Sequence, residues 1–177
     1  MPQLVITATG PDRPGLVGEF TGHLFSGAAN LADSRMVNLR GQFALIALVE
    51  GKESSLSALQ ASLPAAAKAM GLTVAFAAQG KESATSAGQA PGIPYRLKTY
   101  SADQLGLVHR FSDLLRRHEI NIDDLQTRLE SAPFSGTPLF TLEVQMNVPV
   151  GVQVKKLRTE LGTLCDELNC DFDLEPA

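Results

Sequence analysis

The segment Asp12-Arg-Pro-Gly-Leu-Val17 returns in altered form as Asp103-Gln-Leu-Gly-Leu-Val108. When residues 12–33 are set against residues 103–124, at an offset of 91, eight of the 22 positions are identical. Chance would give roughly one or two identities, because no residue type is much above a tenth of an average composition. The chain therefore contains an internal duplication, which has to be recognised before a fold is assigned.

The hydrophobic pattern around the first glycine predicts alternating strands and helices. A β-branched strand at Gln3–Thr9 precedes the glycine, and apolar residues then recur at helical spacing. Two strands joined by a turn at Arg40-Gly41, a second helix and a last strand complete the copy. We expect the second helix to be capped near Ser54 or Ser55 and to be kinked or split at Pro64.

The second copy repeats these elements in the same order. Its predicted elements are strand Tyr95–Ser101, helix Gly106–Arg117, strands Ile122–Leu129 and Leu139–Asn147, helix Val152–Leu168 and strand Cys170–Leu174. The order βαββαβ is ferredoxin-like, and right-handed crossovers place both helices of each copy on one face of an antiparallel sheet. The predicted fold class is therefore α+β, with two such domains in tandem. The other face of each sheet must be polar, or be covered by the other copy or by a second chain.

The segment between the copies has the composition of a linker. Gly80–Gly92 is rich in Gly, Ser and Ala and has almost no bulky apolar residue. We predict a first domain at residues 1–79, a linker at 80–93 and a second domain at 94–177. The second copy has about six extra residues between its middle strands, and the turn residues of Ser131–Pro138 would form that longer loop.

Composition and charge exclude several classes of protein. The chain has 44% hydrophobic residues and a net charge of −4, so it has enough apolar residues for a core and no overall basic footprint for nucleic acid. It has no apolar run long enough to span a membrane, and its first residues have no basic segment typical of a signal peptide. With two cysteines, Cys165 and Cys170, the default expectation is a cytoplasmic protein without a disulfide framework.

The sequence predicts no catalytic residue, no metal site and no cofactor. The three histidines are not paired at metal-ligand spacing, and no nucleophile elbow, Walker loop or dinucleotide motif is present. An acylphosphatase also has the βαββαβ order but needs a phosphate loop, and Pro11 and Pro14 remove backbone donors here. An RNA-recognition module would need exposed aromatic residues on the central strands, and no such run occurs.

The repeated motif resembles the ACT domain. Asp12-Arg-Pro-Gly-Leu-Val17 after a strand, followed by Asn30-Leu-Ala-Asp33, carries the resemblance, and Asp103–Val108 with Asn121-Ile-Asp-Asp124 repeats it. A chain made of two such units is similar to the glycine cleavage system transcriptional repressor group. The resemblance implies regulation by a small ligand, usually an amino acid, bound near the first strand–helix turn and at domain interfaces.

The residues themselves favour a ligand site at the glycine turn. A glycine lets the backbone approach a ligand, and a helix N-terminus attracts a carboxylate. Carboxylate and amide side chains could pair with an ammonium group. The predicted ligand-binding residues are Asp12, Arg13, Gly15, Leu16, Asn30, Leu31, Asp103, Gly106, Leu107, Asn121 and Ile122. The second copy has Gln104 and Leu105 in place of Arg13 and Pro14.

A purely structural interpretation stays open for each of these residues. Asp12 could cap the helix, Gly15 could serve only the turn, and Asn30 and Asp33 could order a loop. Asn30 also opens the second strand, at the other end of the first helix, where a neighbouring subunit's copy could be involved.

We therefore carry two functional hypotheses of different classes. The first is a non-enzymatic regulator that binds an amino acid and controls a protein partner, and is itself a homo-oligomer. The resemblance implies glycine as the ligand and a LysR-type transcriptional activator as the partner. The second hypothesis is a ligand-free interaction or dimerisation module.

Overall fold

A computed structural model describes residues 1–78, 91–131 and 138–177. The chain divides into two compact units, Met1–Ala87 and Gly88–Ala177. The predicted linker falls outside the described residues up to position 90, and most of the predicted loop Ser131–Pro138 also lies outside them.

The first unit has the predicted βαββαβ order. Its elements are β1 (Gln3–Pro11), α1 (Leu16–Ser26), β2 (Asn30–Leu39), β3 (Gln42–Glu50), α2 (Glu53–Ala69) and β4 (Thr73–Ala78). The strands form an antiparallel sheet in the order β2-β3-β1-β4. Alternate residues of the central strands are buried, because only one face of the sheet packs against the helices.

The core of the first unit lies between this inner sheet face and the two helices. Ile6 from β1, Phe43 from β3, Phe20 from α1 and Leu63 from α2 are fully buried in one cluster. The helical residues recur every three or four positions, which places them on one side of each helix. Both helices therefore cover the same face, as predicted.

The second unit repeats this architecture. Its elements are β5 (Gly92–Ala102), α3 (Leu107–Arg117), β6 (Asn121–Ser131), β7 (Pro138–Pro149), α4 (Val154–Leu168) and β8 (Cys170–Pro176). The sheet order β6-β7-β5-β8 matches that of the first unit, and its core is a separate cluster. The α+β prediction of two ferredoxin-like domains is confirmed, with element ends that differ from prediction by a few residues. The difference matters most at β5, which begins at Gly92 inside the predicted linker.

The predicted cap of α2 is wrong, and so is the prediction of a split at Pro64. The helix begins at Glu53 after Lys52, which offers no side-chain cap, so neither Ser54 nor Ser55 is the cap. Pro64 does not split the helix, which runs without a break from Glu53 to Ala69. Pro64 and Gln60 are exposed, so water can satisfy the Gln60 carbonyl that the proline leaves without a donor.

No helix in the described part of the chain is long and apolar enough to cross a membrane.

Candidate ligand site

Each unit turns from its first strand into its first helix through a glycine in the left-handed conformation. Gly15 has φ 86° and Gly106 has φ 85°, and each directly precedes the helix. A residue with a Cβ is strained at such a φ, so the backbone conformation itself requires glycine. A Cβ on Gly106 would meet nothing within 4 Å, and one on Gly15 would meet only Glu19 at 3.9 Å. The turns, which we call elbow 1 and elbow 2, are therefore open on the glycine side.

Each elbow presents backbone donors at the start of a helix. The hydrogen-bond ladder of α1 begins with the Glu19 amide, which donates to the Gly15 carbonyl at 3.0 Å. The N–H groups of Val17 and Gly18 come before that first bond, and Val17 and Gly18 are exposed. In α3 the ladder begins likewise with Arg110 donating to Gly106 at 2.9 Å. Both elbows can therefore offer helix N–H groups and the positive end of a helix dipole to an anion.

Asp12 holds elbow 1 against the β2–β3 hairpin and does not cap α1. Its amide donates to the Gly41 carbonyl at 2.8 Å, and its carboxylate accepts a hydrogen bond from the Asn38 side chain. Asn38 in turn accepts from the Gly41 amide at 3.1 Å. The cap position belongs to Gly15, which has no side chain to bond the helix. The alternative that Asp12 serves as a helix cap is therefore wrong.

Arg13 lies at elbow 1 in an ion pair with the first turn of α1. Its guanidinium donates two hydrogen bonds to the Glu19 carboxylate, each 2.6 Å long. Hydrogen bonding to Arg13 lowers the pKa of Glu19 below its ordinary value, and the carboxylate raises the pKa of Arg13. Both side chains are nearly half exposed, so the pair can exchange partners with a charged ligand.

Elbow 2 has different side chains in these places. Gln104 replaces Arg13, and its amide donates to the Leu168 carbonyl at the end of α4 at 2.6 Å. Arg110 replaces Glu19 and pairs with Glu167 of α4 at 2.5 Å. At elbow 2 the side chains at the positions of Arg13 and Glu19 are therefore bound to α4, whereas at elbow 1 they face solvent. Asp103 is exposed and lies in the connection before Gly106.

Leu16 and Leu107 contribute only backbone to any site. Their side chains are 1% and 3% exposed and belong to the two cores. The Leu16 amide already donates to Arg13 at 3.3 Å.

Asn30 and Leu31 lie at the opposite end of the sheet from elbow 1. Asn30 pairs with Glu50, which pairs with Gln3, whereas Asp12 follows the far end of the nine-residue strand β1. At about 3.3 Å per residue this separation is roughly 30 Å. The structure therefore does not bring Asn30 together with the elbow of its own unit.

The second unit shows the same separation. Asn121 pairs with Asn147 at the far end of β7 from elbow 2, and Ile122 follows it in β6. A β-bulge follows each of these pairs, between Leu31 and Asp33 and between Ile122 and Asp124. Asn30 and Asp33 thus lie in a strand, and the alternative that they order a loop is wrong.

Glu19 and Asn38 are site residues that the sequence reasoning missed. A Glu in the first helical turn four residues after a glycine was a signal available for Glu19. Asn38 stands three residues before Gly41, a position typical of a residue that bonds a turn, but its contact with Asp12 depends on sheet register.

Among the described residues, no group of three His, Cys, Asp or Glu side chains is placed to hold a metal ion.

Comparison with known proteins identifies the first unit. Residues 2–77 match the family model of the ACT domain. The first unit is an ACT domain. The second unit has the same strand order and the same glycine elbow, so the chain carries two ferredoxin-like units of one topology.

Two relatives align with nearly the whole of this chain. The glycine cleavage system transcriptional repressors of Escherichia coli (strain K12) and Shigella flexneri are each 29% identical over 168 residues, which is 94% of this chain and 85% of theirs. These relatives are named as regulators, in agreement with the prediction that the chain is not an enzyme.

Solved structures share the fold over nearly the full length. An unknown protein from Galdieria sulphuraria has a TM-score of 0.79 at 28% identity, covering 99% of this chain and 98% of that one. A second solved structure at 24% identity has a TM-score of 0.72 over 98% of this chain and 96% of that one, and shows the fold alone.

Proposed function

We propose that the chain is a regulatory protein that binds an amino acid at elbow 1 and thereby changes its contacts with a protein partner. The observation that carries this proposal is the chemistry of elbow 1. The Arg13 guanidinium and the Glu19 carboxylate lie there at the start of α1, together with the first helix N–H groups. Both side chains are nearly half exposed. The full-length similarity to transcriptional repressors supports the regulatory part.

The mixed charges of elbow 1 suit a zwitterion. The ligand carboxylate would take the place of the Glu19 carboxylate on Arg13 and the N–H groups of α1. The released Glu19 carboxylate would accept from the ligand ammonium group, and the Asp12 carboxylate, which accepts from Asn38 here, would be a second acceptor. Elbow 2 offers no equivalent, because Gln104 and Arg110 are bound to α4. We therefore propose Asp12, Arg13, Gly15 and the Leu16 backbone as the principal site, with Asp103, Gly106 and Leu107 as a weaker one.

We propose that Asn30 and Leu31 join such a site from a neighbouring subunit. The roughly 30 Å between them and elbow 1 keeps them away from the elbow of their own unit. The same holds for Asn121 and Ile122, so the proposal includes a homo-oligomer.

Glycine is the first ligand to test, since the Escherichia coli relative is named for the glycine cleavage system. Partner control would follow if the ligand binds one conformation of the protein better than another, because only that difference shifts a population. A LysR-type transcriptional activator is the partner that the resemblance implies.

Isothermal titration calorimetry with glycine and then the other amino acids tests the proposal. We expect Arg13→Gln, which copies the residue of elbow 2, to weaken binding about tenfold or more through loss of a charge-assisted hydrogen bond. The matched control is Arg128→Gln, an exposed arginine of β6. No heat with any amino acid at millimolar concentration, or an equal effect of both variants, contradicts the proposal.

The alternative is a ligand-free interaction module. The bidentate Arg13–Glu19 pair favours it, because elbow 1 satisfies its own charges without a ligand. Gly15→Val distinguishes the two functions. A change in assembly without any change in amino-acid binding favours the module, and loss of binding at constant assembly favours the regulator.

A further inference from the structure

The outer sheet faces of the two units, those turned away from the helices, differ at equivalent positions. In the first unit Val5 pairs with Leu48 and with Ala77. In the second unit Arg96 holds the place of Val5, and it pairs with Gln145 and with Glu175. The register gives the remaining equivalents: Thr7 and Lys98, Ile46 and Glu143, Ala75 and Asp173.

We call the set Val5, Ile46, Leu48, Ala75 and Ala77 the aliphatic face, and the uncharged Thr7 lies between Ile46 and Ala75 within it. Ile46, near its centre, is 48% exposed. Next to it lies a pocket of about 210 Å³ lined by Val5, Ile46, Leu48 and three residues of β2. Removing such an aliphatic surface from water is favourable, so the surface is suited to being covered.

The fold does not require these aliphatic residues. The second unit has the same topology, yet its outer face carries charged side chains that pair with one another and with solvent. Arg96 pairs with Glu175 and lies 4.0 Å from Glu143, and the Lys98 ammonium lies 5.3 Å from the centre of the Tyr100 ring. The duplicate thus acts as an internal control, and the aliphatic face needs an explanation outside the folding of its own unit.

The charges beside the aliphatic face make it self-complementary. Asp33 and Arg35 of β2 lie opposite Leu48 and Ile46, and their charged atoms are 3.6 Å apart. Both side chains are largely exposed. When two identical faces meet about a two-fold axis, an aliphatic centre meets an aliphatic centre, and each acidic residue can meet the basic residue of the other chain.

We propose that the aliphatic face of the first unit packs against the same face of a second copy of this chain. A face like that of the second unit is a poor partner, since Arg96, Lys98 and Asp173 would be buried against aliphatic groups. Two such sheets pack about 10 Å apart with their strands inclined by about 30°. The proposal goes beyond ligand binding at elbow 1, and its test needs no ligand.

Analytical ultracentrifugation of the full chain without amino acids tests the proposal. The wild-type chain dimerises at micromolar concentration. Ile46→Glu introduces the residue found at the equivalent position of the second unit, Glu143. It raises the dissociation constant of the dimer at least ~100-fold, because the two-fold axis brings two like charges into an apolar interface. Leu48→Gln, also the residue of the second unit, raises it about tenfold.

Gln145→Glu is the matched control, since it adds the same charge at the position of the second unit that corresponds to Leu48. This variant leaves the dissociation constant unchanged. Circular dichroism establishes that each variant is folded, and Leu48→Gln serves as the test if Ile46→Glu unfolds. A wild-type chain that stays monomeric at ~100 µM, a typical upper working concentration, overturns the proposal and leaves the face to a different partner. A dimer that is insensitive to the first-unit variants, or equally sensitive to Gln145→Glu, overturns it as well.

Discussion

The two units share a fold and differ in what they present to solvent. Both have the strand order of a split βαβ sheet, a glycine elbow before the first helix and a bulge at the start of the second strand. Outside these common features, elbow 1 carries a free-standing Arg13–Glu19 pair, whereas elbow 2 is bonded to α4. The outer face of the first unit is aliphatic, and that of the second is charged. A duplicated domain therefore keeps its core and turns, because folding needs them, while its surface can change to serve different contacts.

The largest expected effect tests whether the units unfold separately. Leu63 of α2 and Leu161 of α4 occupy equivalent places and are both fully buried. Each change to Ala should cost about 2–5 kcal/mol through lost burial and a cavity. Thiol labelling of Cys165, which is buried in the second unit, reports on that unit alone.

We expect Leu161→Ala to accelerate this labelling and Leu63→Ala to leave it unchanged. Equal acceleration by both variants would show that the units unfold together, which would contradict the predicted domain division.

A smaller effect is expected where the first unit has a glycine and the second a serine. A Cβ on Gly10 would lie 2.4 Å from the Gly71 carbonyl oxygen, and backbone cannot move aside as a flexible side chain can. Gly10→Ser should therefore destabilise the first unit by about 1–3 kcal/mol. Hydrogen exchange in β1 and β4, followed by mass spectrometry, measures it.

The reverse change, Ser101→Gly, should alter the stability of the second unit by less than about 1 kcal/mol. If Gly10→Ser proves harmless, the close approach of β1 to the α2–β4 turn does not limit this position.

Ser101 itself predicts a stabilising substitution. Its buried hydroxyl has no hydrogen-bond partner in the part of the chain that the structure describes. Ser101→Ala keeps the Cβ and removes the unpaired group, so we expect a gain of about 1 kcal/mol in the free energy of unfolding. Urea denaturation followed by Cys165 labelling measures this gain, and a loss of stability would show that the hydroxyl has a partner in solution.

The smallest effect concerns pH and also distinguishes the units. His118, at the end of α3, hydrogen-bonds Glu160 of α4 at 2.9 Å, whereas His23 of α1 hydrogen-bonds the neutral Ser62. Hydrogen bonding to His118 lowers the pKa of Glu160 in the folded state. The ionised Glu160 carboxylate therefore contributes its full share to the free energy of unfolding above the ordinary carboxyl pKa of 4.5. This contribution is lost as the pH falls through the lower pKa of the folded state.

Melting temperatures of wild type and Glu160→Gln between neutral and acidic pH should differ most at neutral pH and converge in acid. Glu130→Gln, on the exposed strand β6, is the control, and a difference that grows toward acid would contradict the assignment.

The sequence predicted the elements well because the same pattern occurred twice. Alternating apolar residues such as Phe43, Leu45 and Ala47 indicated a strand with one buried face, and Gly15 with Gly106 indicated the turns. The split at Pro64 was wrongly predicted because tertiary packing of the buried residues of α2 can offset the local cost of a proline, and burial is not visible in the local sequence.

The candidate site was predicted only in part. Glycine elbows can be recognised locally, since a positive φ restricts residue type at one position. Whether Asp12 meets Asn38, or whether Asn30 lies near its own elbow, depends on strand order and register. The contact between Asp12 and Asn38 was not predicted, and Asn30 lies at the opposite end of the sheet from elbow 1.

By itself, the sequence determined the duplication, the fold and the two elbows, because periodicity and backbone restrictions act within a few residues. Only the tertiary structure decided that Asp12 binds a hairpin, that Asn30 stands far from elbow 1 and that the two outer faces differ so sharply. Those facts depend on which strands pair and in which register, and long-range pairing brings together residues that no local pattern connects.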